Sequence, residues 1–154
     1  MTIADKIDIL DNAIVRMNTY LSFGSSYSDR LFDYGRDVKS DAVETLKKIG
    51  APQHSINSIQ HVSFESCRKD VFGGYMAGEY EMKCANKCNA YKQSVNSVIN
   101  ILEQERTRLI QEQNNEEQKS NKQLAKWTLV FSIIAALGTI ASVLLAIFNY
   151  LCKN

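Results

Sequence analysis

The stretch Trp127 to Phe148, WTLVFSIIAALGTIASVLLAIF, runs 22 residues without a charge. An α-helix rises about 1.5 Å per residue and a bilayer's hydrocarbon core is about 30 Å thick, so this run is long enough for one membrane span. Twelve of its residues are Leu, Ile, Val or Phe. At about 0.3 to 0.6 kcal/mol each, they favour insertion by roughly 4 to 7 kcal/mol before Ser, Thr and Gly are subtracted. Lys126 and Trp127 stand at one edge, Tyr150 and Lys153 at the other, and amphipathic side chains of this kind collect at headgroup level. The rival reading is a buried core helix, which rarely runs so long without a charge.

About 126 residues precede the span, room for one small domain. No apolar h-region follows Met1, so the expectation is a single-pass, C-terminally anchored protein of the inner (cell) membrane with its N-terminal domain in the cytoplasm. Lys119, Lys122 and Lys126 come before the span and Lys153 alone after it, a bias of the positive-inside kind. Cys67, Cys84, Cys88 and Cys152 form no secreted disulfide framework and suit a reducing compartment. Cys152, at the far interface, is read as a spectator thiol, with lipidation as the alternative. Removing Lys153 from the 18 basic residues leaves 17 Lys and Arg against 17 Asp and Glu before the span. That balance argues against a broad nucleic-acid-binding surface and leaves room for a local basic patch.

The hydrophobic spacing predicts an all-α chain: a small cytosolic helical domain (residues 1–110), a polar stalk or vestibule (111–126), and a transmembrane helix (127–150). Thr2, a good N-cap with Asp5 three places on, opens a helix over residues 2–22. Ile3, Ile7, Leu10, Ile14, Met17 and Leu21 then make one uninterrupted heptad seam. Phe23-Gly24-Ser25-Ser26 breaks it. A second helix is predicted over about 28–49 with Leu31, Val38, Ala42, Leu46 and Ile49 inward, ended by Gly50-Ala51-Pro52. A third covers about 55–70 through Ile56, Ile59, Val62 and Cys67. The glycine-rich VFGGYMAG, residues 71–78, reads as a loop. From about Glu79 no breaker occurs until Gly138, which membrane helices tolerate, so one helix is predicted from the loop through the bilayer. Val95, Val98, Leu102 and Leu109 form its sparse apolar stripe. Residues 111–123, QEQNNEEQKSNKQ, are polar on every side, the pattern of a solvated stalk or the wall of a watery vestibule.

Within the span, Thr128, Ser132, Ala135, Thr139, Ser142, Ala146 and Asn149 recur at alternate spacings of four and three. All seven are small or polar, while Leu129, Phe131, Ile133, Ile134, Leu137, Ile140, Leu144, Ile147 and Phe148 occupy the other faces. Leu and Phe suit acyl chains; the small side is expected to meet another helix or water. Two readings stand foremost: close helix packing, or a pore walled by hydroxyls and methyls, with Ala135 or Leu137 as a dry gate. Behind them stands a span with no partner, and a tail-anchored tether or adaptor without a pore is the alternative function. Packing and pore both need several copies of the chain, so a homo-oligomer is expected, and a pore without a charged ring selects weakly.

Catalytic patterns are missing. HExxH, CxxC, GxSxG, the P-loop and the dinucleotide fingerprint do not occur, so neither an enzyme nor a cofactor is expected. A zinc site would need His61, Cys67, Cys84 and Cys88 to converge; packed small apolar surface is the preferred reading of the Cys84–Cys88 pair. The most ligand-like stretch is Arg68, Lys69, Tyr75, Tyr80, Lys83, Lys87, Tyr91 and Lys92. Cations interleaved with tyrosines bind phosphate and stack bases, whereas the alternative is a solvated face over packed aromatics, diluted by Asp70, Glu79 and Glu81. In a ring of copies such a patch repeats about the axis and its potential adds.

A small helical domain, a polar stalk and one C-terminal span, in that order over the whole chain, resemble the membrane effectors of bacterial anti-phage nucleotide-signalling systems, most of all the Hailong-type channel subunit. The resemblance is architectural, and no binding residue is carried over from a matched motif. It implies a cone-shaped tetramer in the membrane, a nucleotidyltransferase partner that makes the nucleotide signal, and an internal chamber in which short single-stranded DNA holds the channel shut.

Overall fold

Thr2 opens the first helix as its side chain requires. Its hydroxyl accepts from Asp5 N–H at 3.1 Å and the Asp5 carboxylate accepts from Thr2 N–H at 2.7 Å, a reciprocal box that satisfies two end donors. The computed structural model describes residues 1–26, 28–68 and 77–152, and within its long last helix leaves out the side chains of 77, 78, 143, 146 and 149–152. It is all-α, with no strand among the described residues. Helix α1 is Ile3–Phe23, α2 Leu31–Ile49, α3 Gln53–His61 and α4 Ala77–Cys152, with a 3-10 turn at Glu65–Cys67. The chain divides into two compact units, Met1–Gln111 and Glu112–Asn154.

The first unit is an antiparallel four-helix bundle. Arg16 on α1 meets Asp41 and Thr45 on α2, while Phe23 meets Tyr34. Lys39 of α2 bonds the Gln60 carbonyl at the end of α3. Ser55 on α3 meets Glu105 on α4, and Ser94 bonds the Ser63 carbonyl. Asp11 pairs with Arg106, and Tyr91 bonds the Tyr20 carbonyl. In the α1–α2, α1–α4 and α3–α4 pairs one number rises as the other falls, and Lys39–Gln60 with Gly35–Phe64 does the same for α2 and the chain leaving α3, so each neighbour runs opposite to the next. The core gathers Leu10, Ala13 and Met17 from α1; Leu31, Val38, Ala42, Leu46 and Ile49 from α2; Ile56 and Ile59 from α3; and Tyr91, Val95, Val98, Leu102 and Leu109 from α4. Each large apolar side chain so buried contributes about 1.5 to 3 kcal/mol.

Several boundaries differ from the sequence reading, among them the start of α3 at Gln53 rather than near Ser55. Helix α2 starts at Leu31 rather than near Ser28, because Ser28 closes a turn ahead of it: its carbonyl accepts from Leu31 N–H at 3.1 Å and its hydroxyl from Arg30 N–H at 3.2 Å. Helix α3 stops at His61 rather than running toward Asp70. Val62 turns extended, which carries Phe64 across onto Gly35 of α2 and lets the chain finish in the 3-10 turn. Helix α4 begins at Ala77, two residues before Glu79; the rest of the glycine-rich loop lies outside the described residues.

The second unit is the remainder of α4. Its described side chains are exposed apart from half-buried Gln113. Among the described residues, α4 is the one helix long and apolar enough to cross a membrane.

Candidate functional site

The expected cation and tyrosine patch separates into core, scaffold and surface. Tyr91 belongs to the core, which corrects its reading as a ligand contact. It is fully buried, its ring lies 5.8 Å from that of Phe64, and its hydroxyl donates to the Tyr20 carbonyl at 3.1 Å. Burial pushes its phenol well above the ordinary range. The physical reason is register: Tyr91 shares the inward stripe of Val95, Val98 and Leu102, and a tyrosine is buried readily when its O–H finds a partner.

Lys87 holds the bundle's connecting turn. Its ammonium donates to the Arg68 carbonyl at 2.7 Å, and its own carbonyl lies 3.8 Å from the Cys67 sulfur as an acceptor. The turn at 65–68 is thus clipped to α4 from both sides. Burial lifts the Cys67 thiol to about 11, with Lys87 opposing the rise. Arg68 is exposed: it pairs with Glu65 at 3.6 Å and its guanidinium lies 5.4 Å from the centre of the Phe32 ring. Tyr80 is exposed and Lys83 and Lys92 are half-buried. Lys69 and Tyr75 lie outside the described residues. Of these residues, Arg68, Tyr80, Lys83 and Lys92 and part of Lys87 reach the described surface, with the Lys92 side chain beside Gly24 at the end of α1 rather than at the turn.

Among the described residues no group of three or more His, Cys, Asp and Glu side chains is placed to hold a metal. Two polar contacts that spacing alone did not bring out are structural. Glu105 is buried, accepting from Ser55 and from Arg108 Nε at 2.8 Å, and Asp11 pairs with Arg106. Their only sequence signal is a charge at a core-facing or flanking position of a predicted helix.

In the span, Thr128, Ser132, Ala135, Thr139 and Ser142 are exposed, as are Leu129, Phe131, Ile133, Ile134, Leu137, Ile140, Leu144, Ile147 and Phe148. The side chains of Ala146 and Asn149 lie outside the described ones. Each described hydroxyl donates back into its own helix: Thr128 to Leu124 O at 3.0 Å, Ser132 to Thr128 O at 2.9 Å, Thr139 to Ala136 O at 2.7 Å and Ser142 to Gly138 O at 2.9 Å. That back-bonding satisfies the donors within the helix itself. What the stripe keeps is its smallness, which still permits close backbone approach. No protein-family model, curated protein or solved structure matches this chain.

Proposed function

We propose that the chain is a membrane-anchored helical effector that acts as a homo-oligomer. Its cytoplasmic bundle receives a nucleotide or short single-stranded DNA regulator, its spans control ion leak, and a nucleotidyltransferase is its signalling partner in anti-phage defence. The observation that carries this reading is the two-sidedness of an exposed span, with large apolar side chains on most faces and only small or hydroxyl-bearing ones along the Thr128–Ser142 line. A lone helix in lipid has no use for such a division, whereas helices gathered at an axis do. A tetramer is the assembly implied by the architecture the chain resembles.

A tether without a pore is the second reading, and the back-bonded hydroxyls favour it, because they let a single span rest in lipid. Depolarisation measured with a potential-sensitive dye in cells expressing the full chain separates the two. The effector reading expects depolarisation under an activating condition, and its loss or attenuation in Thr139→Leu. A detergent-purified monomer that never depolarises cells leaves the tether. The regulator is tested on Arg68→Glu with Lys83→Glu, which should lower the 260/280 nm absorbance ratio of the purified protein; an unchanged ratio removes this patch.

A further inference from the structure

We propose that Lys119, Lys122 and Lys126, together with Trp127, form a seat for the headgroups of anionic phospholipids. These side chains line one shallow groove on α4 with Gln123 and Val130. At 3.6 residues per turn, the three lysines fall within about 60° of one another. They stand about 12, 7.5 and 1.5 Å along the axis before Trp127, and a headgroup layer is about 5 to 8 Å deep. Lys122 and Lys126 therefore fall within that layer, and Lys119 stands a few Å outside it, inside the roughly 10 Å range of the surface field. Among the described residues none of the three ammonium groups is paired with a carboxylate. The nearest acidic residues on this segment, Glu112, Glu116 and Glu117, all lie farther from the span. A row of cations meeting the bilayer at phosphate depth, beside an indole suited to the same depth, complements a negative lipid surface.

The inference rests on Trp127–Phe148 lying in a bilayer, and one experiment tells its failure from the failure of that premise. Trp127 is the only tryptophan in the chain, so its fluorescence reports on the lipids beside the groove. The full chain is reconstituted in phosphatidylcholine vesicles carrying either brominated phosphatidylglycerol or brominated phosphatidylcholine, with the bromines near the headgroup end of the acyl chains. The expected result is a relative association constant favouring phosphatidylglycerol by about threefold or more at low salt, falling toward one in about 0.5 M salt as screening shortens the field. Lys119→Gln with Lys122→Gln and Lys126→Gln should give a ratio near one at any salt. Gln matches Lys in helix propensity, and the salt series on the native chain tests the idea without the variant. Lys47→Gln with Lys48→Gln, on the exposed side of α2, should leave the ratio unchanged. Equal quenching by the two lipids in the native chain overturns the lipid seat alone. Quenching by neither overturns the membrane span and the seat with it. A triple variant that loses co-purified nucleic acid but keeps the lipid ratio assigns the lysines to nucleic acid and also overturns it.

Discussion

Gly35 sits in the middle of α2, where alanine would ordinarily gain about 1 kcal/mol of helix stability. The ring of Phe64 occupies the space a side chain would need: a Cβ there would lie 2.9 Å from Phe64 Cβ and closer still to the ring. Overpacking costs about 1 to 3 kcal/mol, so Gly35→Ala should destabilise the bundle, read as a lower urea midpoint with an unchanged slope. The buried Cys67 thiol gives a second expectation at this scale. Its pKa is raised from 9.0 to about 11, so between those values the unfolded chain has released a proton that the folded chain still holds. Stability is therefore full below pH 9 and falls as pH rises toward 11, by on the order of 2 kcal/mol. The raised Tyr91 phenol acts in the same direction. Urea midpoints at pH 8 and 10.5 should differ accordingly, and Cys67→Ser should shrink the difference. Tyr91 also shows what a residue type leaves open. Beside Lys87 and Lys92 it reads as a base-stacking ring; in register with Val95, Val98 and Leu102 it reads as core. The register was visible in the sequence, but the Tyr20 carbonyl that accepts its hydroxyl lies 71 residues away in the chain and was not.

Element by element, periodicity was a good guide wherever a helix buries one continuous stripe. The five inward positions assigned to α2 and the four assigned to α4 are all buried, because a 3.6-residue period leaves few other faces apolar. The seam of α1 lies against the core along its length, with Leu10 and Met17 fully buried and Ile3, Ile7, Ile14 and Leu21 partly so. Helix α3 was overextended because its end is set by Phe64 reaching Gly35 on another helix, a contact no local pattern encodes. Helix ends with local causes were readable, and Gly50 is the plainest: it closes α2 at φ 68° with its N–H on the Leu46 and Lys47 carbonyls. Nothing lies within 4 Å of where its Cβ would be, so Gly50→Ala has room and is strained only in its backbone. It should cost about 1 to 2 kcal/mol, again measured by urea unfolding. The same substitution at Gly35 and at Gly50 thus fails for opposite reasons, crowding in one and left-handed backbone in the other.

For the molecule as a whole, every side chain buried among the described residues lies at or before Leu109. A chain ended after Gln111 should therefore stay folded and monodisperse in water, with helical circular dichroism and a cooperative melt, while the full chain needs detergent to stay in solution. A truncated chain that melts without cooperativity would mean that the bundle depends on the membrane unit. The back-bonded hydroxyls of that unit carry a last implication. With their hydrogens committed to carbonyls of the same helix, Thr128, Ser132, Thr139 and Ser142 turn only oxygen lone pairs outward. A helix docking along that line must therefore bring its own hydrogen-bond donors, and in the pore proposed above these oxygens would be acceptors only.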